Sequence, residues 1–231
     1  MKVDKYLALY SDYSRRKAFE LIEAKKVLVN GKTANFSTKV NLGDIVLADS
    51  VEIKEKKIQE LIIAYNKPKG VICTTEKIEG NIIDALNFKE KIFPIGRLDK
   101  ESEGLILLTN KGEFVDKIAN PKFQHEKEYI VTLNFPVRTA FLKEIRNGIN
   151  LDGEITLPCK AEVIEGTKRL FKIILNQGLN RQIRRMCNAY DYQVLKLQRV
   201  RVMNIKLDKL KLGEWRELTS EEKIELYKNI E

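Results

Sequence analysis

The spacing of hydrophobic residues predicts a small unit of helices and strands at the start of the chain. Apolar residues three and four positions apart indicate two short helices, and Ser14 is placed to cap the second one. The apolar face of that helix is formed by Ala18, Phe19, Leu21 and Ile22. A strand beginning at Val27 follows, and it ends at Asn30-Gly31, a dipeptide typical of tight hairpin turns.

Strand patterns dominate the rest of the chain. The unbroken apolar run at residues 105–108 predicts a strand covered on both faces, because a half-exposed strand alternates between apolar and polar residues. Strict alternation begins near residue 127, and residues 183–190 place apolar side chains at helical spacing. Many strands interrupted by few helices predict an α+β fold rather than a doubly wound sheet.

A charged segment divides the chain into two predicted domains. Residues 51–58 are rich in Lys and Glu and are expected to form a linker. A small domain at residues 1–50 then precedes a larger one at residues 59–231. The length of 231 residues and the 43% apolar content are sufficient for a substantial core.

The charge balance favours a polyanionic partner. Lys and Arg number 42 against 33 Asp and Glu, a net charge of +9. Residues 1–57 hold twelve of these basic side chains against eight acidic ones, so the smaller part of the chain has the higher density of positive charge.

Several classes of protein are not supported by the sequence. The three cysteines include no C-x-x-C pair, so neither a zinc site nor a disulfide framework is indicated, and a reducing cytoplasm is expected. There is no G-x-G-x-x-G motif or P-loop, and we expect neither a nucleotide cofactor nor a metal. No stretch has the length of a signal peptide or membrane span, so a soluble cytoplasmic protein is expected.

The polar turn before the buried apolar run carries the first candidate for chemistry. Gly96 and Gly104 bracket this turn, which brings the Asp99 carboxylate to the edge of a rigid strand. Catalytic side chains are often held in this way, although an Asp in a loop is also a common turn former. His125, the only histidine, is more often a structural or surface residue than a general base.

Two further stretches offer aromatic and basic candidates. Tyr129 is either a core aromatic or a platform on which an extruded base stacks. In the predicted helix after Gly178, Arg184 lies at the border of the apolar face, where it is placed to pair with a partly buried carboxylate. Arg181 and Arg185 point away from that face, towards solvent or phosphate, and all three arginines also fit a plain basic flank. The alternating basic residues at 196–201 are interpreted as further positive surface.

The N-terminal motifs resemble an S4 RNA-binding domain. The similarity rests on Ser14-Arg-Arg-Lys-Ala, Val29-Asn-Gly-Lys and Leu42-Gly-Asp. The resemblance implies two helices and a loop that present basic side chains to the RNA backbone. The implied contacts are Lys5, Arg15, Arg16, Lys26 and Lys32. Such contacts position an RNA without reading its sequence.

Four motifs in order along the larger domain resemble the RsuA-type family of pseudouridine synthases, and most of all its large-subunit synthase F branch. The motifs are Asn66-Lys-Pro-Lys-Gly, Gly96-Arg-Leu-Asp, Lys127-Glu-Tyr and Asn180-Arg-Gln-Ile-Arg-Arg-Met. The resemblance implies a mixed, mainly antiparallel sheet. It also implies that uracil is detached from ribose at N1, turned and rejoined through C5 without cofactor or metal.

The resemblance also assigns roles to individual residues. Asp99 matches the catalytic aspartate, Tyr129 the tyrosine that stacks on the target base, and Arg184 the basic residue that pairs with the aspartate. Ile183 matches the aliphatic residue that lines the pocket, and Arg97 is placed to help displace the base. Together with Arg181 and Arg185, Ile183 and Arg97 make up the expected substrate-binding set.

Alternatives remain open for the substrate and for catalysis itself. The expected partner is ribosomal RNA, most of all that of the large subunit, and the protein is expected to act as a monomer. The same chemistry on small-subunit RNA or a tRNA is the alternative, because RNA shape and loop accessibility select the target uridine. A non-catalytic RNA-binding or ribosome-assembly factor also accounts for the charge, but it has no need of Asp99, Tyr129 and Arg184 together.

Overall fold

The computed structural model describes residues 1–88 and 90–230, which divide into two compact units, Met1–Gln59 and Glu60–Glu231. The N-terminal unit contains α1 (Val3–Tyr10), α2 (Arg15–Glu23), β1 (Val27–Val29), β2 (Lys32–Thr33), β3 (Val46–Ala48) and β4 (Val51–Glu52). Its strands form an antiparallel sheet in the order β2-β1-β3-β4.

The N-terminal unit forms much as its hydrophobic pattern predicts. The Ser14 hydroxyl accepts a hydrogen bond from the Lys17 amide at 3.0 Å, which caps α2. Ala18, Leu21 and Ile22 are buried in the core. Phe19 is the exception, because its side chain is 43% exposed and stacks on the exposed ring of Phe36.

The segment expected to be a linker begins later than residue 51. Val51–Glu52 is a strand paired with β3, and Ile53 is only 8% exposed. The Tyr6 hydroxyl also donates a hydrogen bond to the Ile53 carbonyl at 3.1 Å. Residues 51–53 therefore belong to the N-terminal unit, and the adjacent run of lysines conceals their alternating apolar pattern in the sequence.

The C-terminal unit is built on a large mixed sheet. Its strands in chain order are β5 (Ile62–Lys67), β6 (Phe93–Ile95), β7 (Glu103–Thr109), β8 (Lys127–Leu133), β9 (Asn150–Leu151), β10 (Glu154–Ile155), β11 (Lys160–Val163), β12 (Leu170–Leu175), β13 (Val194–Val202), β14 (Ile205–Lys206) and β15 (Trp215–Glu217). Its helices are α3 (Ile82–Leu86), α4 (Gly112–Ala119), α5 (Thr139–Asn147), α6 (Gln182–Asn188) and α7 (Ser220–Lys228), with a 3₁₀ turn at Pro121–Phe123.

The order of the main sheet is β11-β12-β8-β13-β7-β5-β15, with β6 beside β7 and β14 beside β13. Among the described residues, the pairing of β13 with β7 is parallel and the other pairings in the sheet are antiparallel. The separate hairpin β9–β10 is also antiparallel. The α+β fold with a mixed, mainly antiparallel sheet is thus confirmed.

Strand β7 is buried on both faces, as its apolar run predicts. Leu105 and Leu107 face one hydrophobic cluster, which also contains residues of α4 and α7. Ile106 and Leu108 face a second cluster, which includes Cys73 and residues of α3. The strand is therefore a rigid support for the turn that precedes it.

Gly104 lies at the point where β7 and β13 approach most closely. Its φ is +105°, and a Cβ atom there would lie 2.3 Å from the Arg199 carbonyl oxygen. The backbone oxygen cannot move away without breaking the parallel pairing of Arg199 with Gly104. Only glycine fits this position.

We expect Gly104→Ala to destabilise the C-terminal unit by roughly 3 kcal/mol or more, since the substitution combines a clash with an unfavourable φ. Gly112→Ala is the matched control, because its Cβ meets no atom within 4 Å and its φ is ordinary. We expect the control to change stability by less than about 1 kcal/mol. Urea unfolding, followed by the fluorescence of Trp215, the only tryptophan, measures the stability of both variants. Similar small effects would contradict this account of the strand contact.

Candidate active site

The Asp99 carboxylate is carried on a short loop between β6 and β7 that is fixed along its length. The Asp99 carbonyl accepts a hydrogen bond from the Ser102 amide at 3.0 Å, and the Lys100 carbonyl accepts one from the Gly70 amide at 2.7 Å. Leu98 is buried in the cluster that contains Cys73, and its amide donates to the Cys73 thiol sulfur at 3.4 Å. The backbone that carries the half-buried Asp99 side chain therefore has a well-defined position.

Arg184 reaches this loop from α6 but binds the main chain. Its Nη2 donates to the Glu101 carbonyl at 3.0 Å and its Nη1 to the Val194 carbonyl at 3.1 Å, and Nε is buried without a hydrogen-bond partner among the described residues. No Arg184 nitrogen lies within the 4.0 Å of an Asp99 carboxylate oxygen that defines an ion pair, although both residues are described. The expected direct pair is therefore not formed in this structure.

The two charges nevertheless interact. Burial lowers the pKa of the Arg184 guanidinium, and the nearby Arg181 lowers it further, whereas the Asp99 carboxylate acts in the opposite direction. Arg184 therefore binds the loop backbone through the Glu101 carbonyl and also interacts with the Asp99 carboxylate.

Tyr129 is brought to the same region by strand register. On β8 it lies opposite Arg199 of β13, and Arg199 in turn lies beside Gly104 of β7. The half-buried Tyr129 ring packs against two hydrophobic clusters, one of which contains Leu98. An aromatic ring therefore lies close to the loop of Asp99, at the junction of the two halves of the sheet.

Lys67 of β5 lies beside Gly104, so it is a strand neighbour in line with Arg199 and Tyr129. It was not identified as a site residue from the sequence. It pairs with Gly104 and is fully buried, and its Nζ donates to the carbonyls of Pro68 and Val71, each at 2.8 Å. Burial lowers the pKa of the Lys67 ammonium, and the charge of Arg199 adds to this effect, while Cys73, Asp99 and Glu101 raise it. In the sequence, this stretch was noted only as the motif Asn66-Lys-Pro-Lys-Gly, with no role assigned to Lys67.

Arg199 is the second missed residue, and the interpretation of its stretch as positive surface is wrong at this position. It is 3% exposed, and its Nε donates to the Leu105 carbonyl at 2.6 Å. Nη1 donates more weakly to the Arg97 carbonyl at 3.4 Å. A signal was present, because strand alternation places Arg199 on the same face as the buried Leu197.

Four basic side chains of the C-terminal unit are buried or half-buried without a contacting carboxylate among the described residues. The Lys127 ammonium donates to the His125 carbonyl, and burial, helped by the charge of Arg199, lowers its pKa to about 8. Among the described side chains, no carboxylate oxygen lies within 4.0 Å of Lys67, Lys127, Arg184 or Arg199. We refer to these four residues as the cation row. Buried charges in proteins are usually paired, so this arrangement is unusual.

The remaining expected substrate contacts have mixed positions. Arg97 and Arg181 are exposed, and Arg181 precedes α6 with φ +47°. Arg185 instead donates to the Leu151 carbonyl at 2.9 Å and to the Asp152 carboxylate at 2.6 Å, so it is held by the β9–β10 hairpin and does not point freely to solvent. Ile183 is 5% exposed in the core with Met186 and Cys187, as the helical spacing predicts.

The five basic residues expected to contact RNA in the N-terminal unit are all exposed. Arg15 is nevertheless bound to the buried Asp4 carboxylate at 2.6 Å, and Lys26 to Asp49 at 2.9 Å. Arg16 and Lys32 have exposed side chains, and so does Lys5. The expected surface is thus present, but part of its charge is offset within the unit.

Residues 1–88 and 90–230 lack two further features, a metal-binding cluster and a helix that could span a membrane. No group of three His, Cys, Asp or Glu side chains is arranged to hold a metal ion. No helix in this part of the chain has the length and apolar character required to cross a membrane.

Comparison with known proteins agrees with both units. A family model described as RNA pseudouridylate synthase matches residues 61–189, and an S4 domain model matches residues 1–46. The chain is 44% identical over 233 residues to the dual-specificity RNA pseudouridine synthase RluF of Escherichia coli (strain K12), covering 100% of this chain and 80% of that protein. It is 34% identical over 229 residues to the ribosomal large subunit pseudouridine synthase B of Bacillus subtilis (strain 168), covering 96% and 93%.

A solved structure supports the same assignment. The crystal structure of a pseudouridylate synthase superposes with a TM-score of 0.71 at 29% identity, covering 98% of this chain and 99% of that one. The family suggested by the motifs of the sequence is confirmed. The chain belongs to the RNA pseudouridylate synthase family and carries an N-terminal S4 domain.

Proposed function

We propose that this synthase isomerises a uridine of large-subunit ribosomal RNA to pseudouridine with Asp99 as the catalytic carboxylate. The observation that supports this assignment is the convergence of Asp99, Tyr129 and Arg184 from three separate elements. Asp99 is held on its loop, Tyr129 packs beside that loop, and Arg184 donates a hydrogen bond to it. Such an arrangement would offer one reacting nucleotide a carboxylate, an aromatic ring and a cation together.

The proposed role of Asp99 follows from the reaction. The bond between N1 of uracil and the ribose breaks, the base turns, and a bond from C5 to the ribose replaces it, while C5 loses its proton and N1 gains one. A carboxylate next to the sugar stabilises the positive charge that develops there and is also able to act as nucleophile or base. Both bonds lie within the substrate, so the isomerisation needs no oxidant or reductant.

The cation row supports an RNA substrate in this site. Its four positive charges lack contacting carboxylates, and charges near low-dielectric walls attract anions strongly. Phosphates that flank the target nucleotide supply the missing negative charge. Extruding a nucleotide from its stack costs a few kcal/mol, which stacking on Tyr129 and the attraction of the phosphates offset.

The choice of RNA rests on the relatives. One is named as acting on the ribosomal large subunit, which supports large-subunit RNA as the target of this chain. Another is named a dual-specificity enzyme, which favours a second substrate, and we take a tRNA as that candidate. We further propose that the enzyme acts in the cytoplasm, where these RNAs are modified, and as a monomer, because all three proposed catalytic side chains come from one chain.

Replacing the carboxylate tests the assignment directly. Asp99→Asn should abolish isomerisation by the purified enzyme and leave the Kd for RNA within about tenfold, because the change removes chemistry but few contacts. Asp191→Asn is the control, since Asp191 is exposed and Asn tolerates its φ of +63°. Turnover by the Asp99→Asn enzyme close to that of the control would refute the role of Asp99.

The same variant identifies the target in cells. Pseudouridines are mapped in total RNA from cells that lack the gene and are complemented with either the original protein or the Asp99→Asn variant. We expect one position in large-subunit RNA to be modified only with the original protein. A position restored only in small-subunit RNA would overturn the proposed substrate and leave the enzymatic assignment intact.

Kinetic measurements should distinguish the role of Arg184 from that of Arg181. Arg184→Ala leaves the Glu101 carbonyl without its donor and removes a charge beside Asp99, so we expect kcat to fall roughly 100-fold. Arg181→Ala removes an exposed charge and should mainly weaken RNA binding. Steady-state kinetics and RNA titrations of both variants provide the comparison. Equal effects on kcat would mean that Arg184 is only one of several basic residues on α6.

The N-terminal unit should contribute through phosphate contacts. Without residues 1–59, we expect weaker RNA binding and a plot of log Kd against log salt that is shallower by about one for each lost phosphate contact. The double variant Arg16→Gln with Lys32→Gln should give a smaller change in the same direction. Titrations at several KCl concentrations measure the slope. A slope unchanged in both proteins would show that these side chains are merely solvated.

A further inference from the structure

We propose that Arg199 is a positioning residue that sets the location of the Asp99 carboxylate by holding both ends of its loop. The inference rests on the proposed function, in which Asp99 performs the chemistry. Arg199 does not need to touch the substrate for this role. It acts through the backbone on which Asp99 is carried.

The contacts of Arg199 bracket the catalytic loop. Its Nε donates to the Leu105 carbonyl at 2.6 Å, after the loop, and its Nη1 donates to the Arg97 carbonyl at 3.4 Å, before it. A guanidinium is planar, and its donors are fixed relative to one another. One rigid group therefore sets the separation of the two carbonyls between which Asp99 lies.

The backbone of Arg199 is held between the two neighbouring strands, β7 and β8. A Cβ atom on Gly104 would lie 2.3 Å from the Arg199 carbonyl oxygen, so β7 and β13 are in close contact there. On the other side, Arg199 pairs with Tyr129 of β8. Movement of the Arg199 backbone would therefore change the position of the proposed stacking ring and of the loop together.

The energetic cost of Arg199 argues against a purely structural role. The side chain is 3% exposed, its Nη2 has no hydrogen-bond partner among the described residues, and it lacks an ion pair with any described carboxylate. Burying such a charge costs several kcal/mol, and an apolar residue of similar size usually fills a core position at lower cost. Unfavourable local choices of this kind are expected at functional sites.

The test compares two substitutions at Arg199 with one at Arg201. Arg199→Met keeps the length of the side chain without its donors, and Arg199→Lys keeps the charge without the rigid fork. Arg201→Met is the matched control, because Arg201 is a partly buried arginine of the same strand that binds Glu126 and Glu128 and not the loop. Isomerisation, RNA affinity and thermal unfolding are measured for all three and for the original protein.

If Arg199 positions Asp99, Arg199→Met should lower kcat roughly 100-fold, whereas KM and the RNA Kd should rise by less than about tenfold, through the loss of one charge of the cation row. Arg199→Lys should recover only part of this loss, because an ammonium cannot reproduce both contacts. Arg201→Met should lower the unfolding temperature but keep kcat at temperatures where it is folded. Addition of millimolar guanidinium to an Arg199→Ala variant should restore part of the activity, whereas urea at the same concentration should not.

Other outcomes would overturn the inference. If the original protein isomerises uridine and Arg199→Met keeps its kcat, Arg199 does not position the carboxylate. If the loss of kcat in Arg199→Met and Arg201→Met follows the fall in their unfolding temperatures, the role of Arg199 is structural. The same conclusion holds if Arg199→Met and Arg199→Lys both fail to fold. Absence of isomerisation by the original protein would instead refute the proposed function, so the two failures are distinguishable.

Discussion

The parallel contact of β7 with β13 joins the two halves of the main sheet. On one side, β5, β6 and β7 carry Lys67 and the Asp99 loop. On the other, β8, β12 and β13 carry Tyr129 and pack against α6, which presents Arg184. Each half holds only part of the proposed catalytic set, and the residues meet because Gly104 allows the two strands to approach. The location of the site is thus a consequence of how the sheet closes.

Positive charge at this junction is maintained at a cost to stability. Lysines and arginines there are desolvated, and their hydrogen bonds go to backbone carbonyls, which satisfy donors but do not neutralise charge. In such surroundings the field reaches further than it would in water. A polyanionic substrate bound here would stabilise this arrangement, so part of its binding free energy would come from charge that the protein alone leaves unbalanced.

Local patterns in the sequence were sufficient for elements whose partners are close along the chain. The Ser14 cap, the doubly buried β7 and the apolar face of α6 all follow from short-range spacing. The partners of the Arg184 and Arg199 side chains do not follow from short-range spacing. Glu101 is 83 residues from Arg184 along the chain, and Leu105 is 94 residues from Arg199. Strand β13 also contains register irregularities on either side of residues 196–199, which strand alternation alone does not reveal. The motifs identified the loop and the ring, but the tertiary contacts determine which cation binds which carbonyl.

The division of the chain at Gln59 has a consequence for synthesis on the ribosome. The described core of the S4 unit is made only of residues between Val3 and Ile53, so this unit has its core complete early in translation. Domains generally fold as units, with the N-terminal one first. The catalytic unit has to wait for β13, whose Arg199 closes a loop of 94 residues back to Leu105. A nascent chain therefore acquires its RNA-binding module well before its active site, and for that interval it is a binder without being a catalyst.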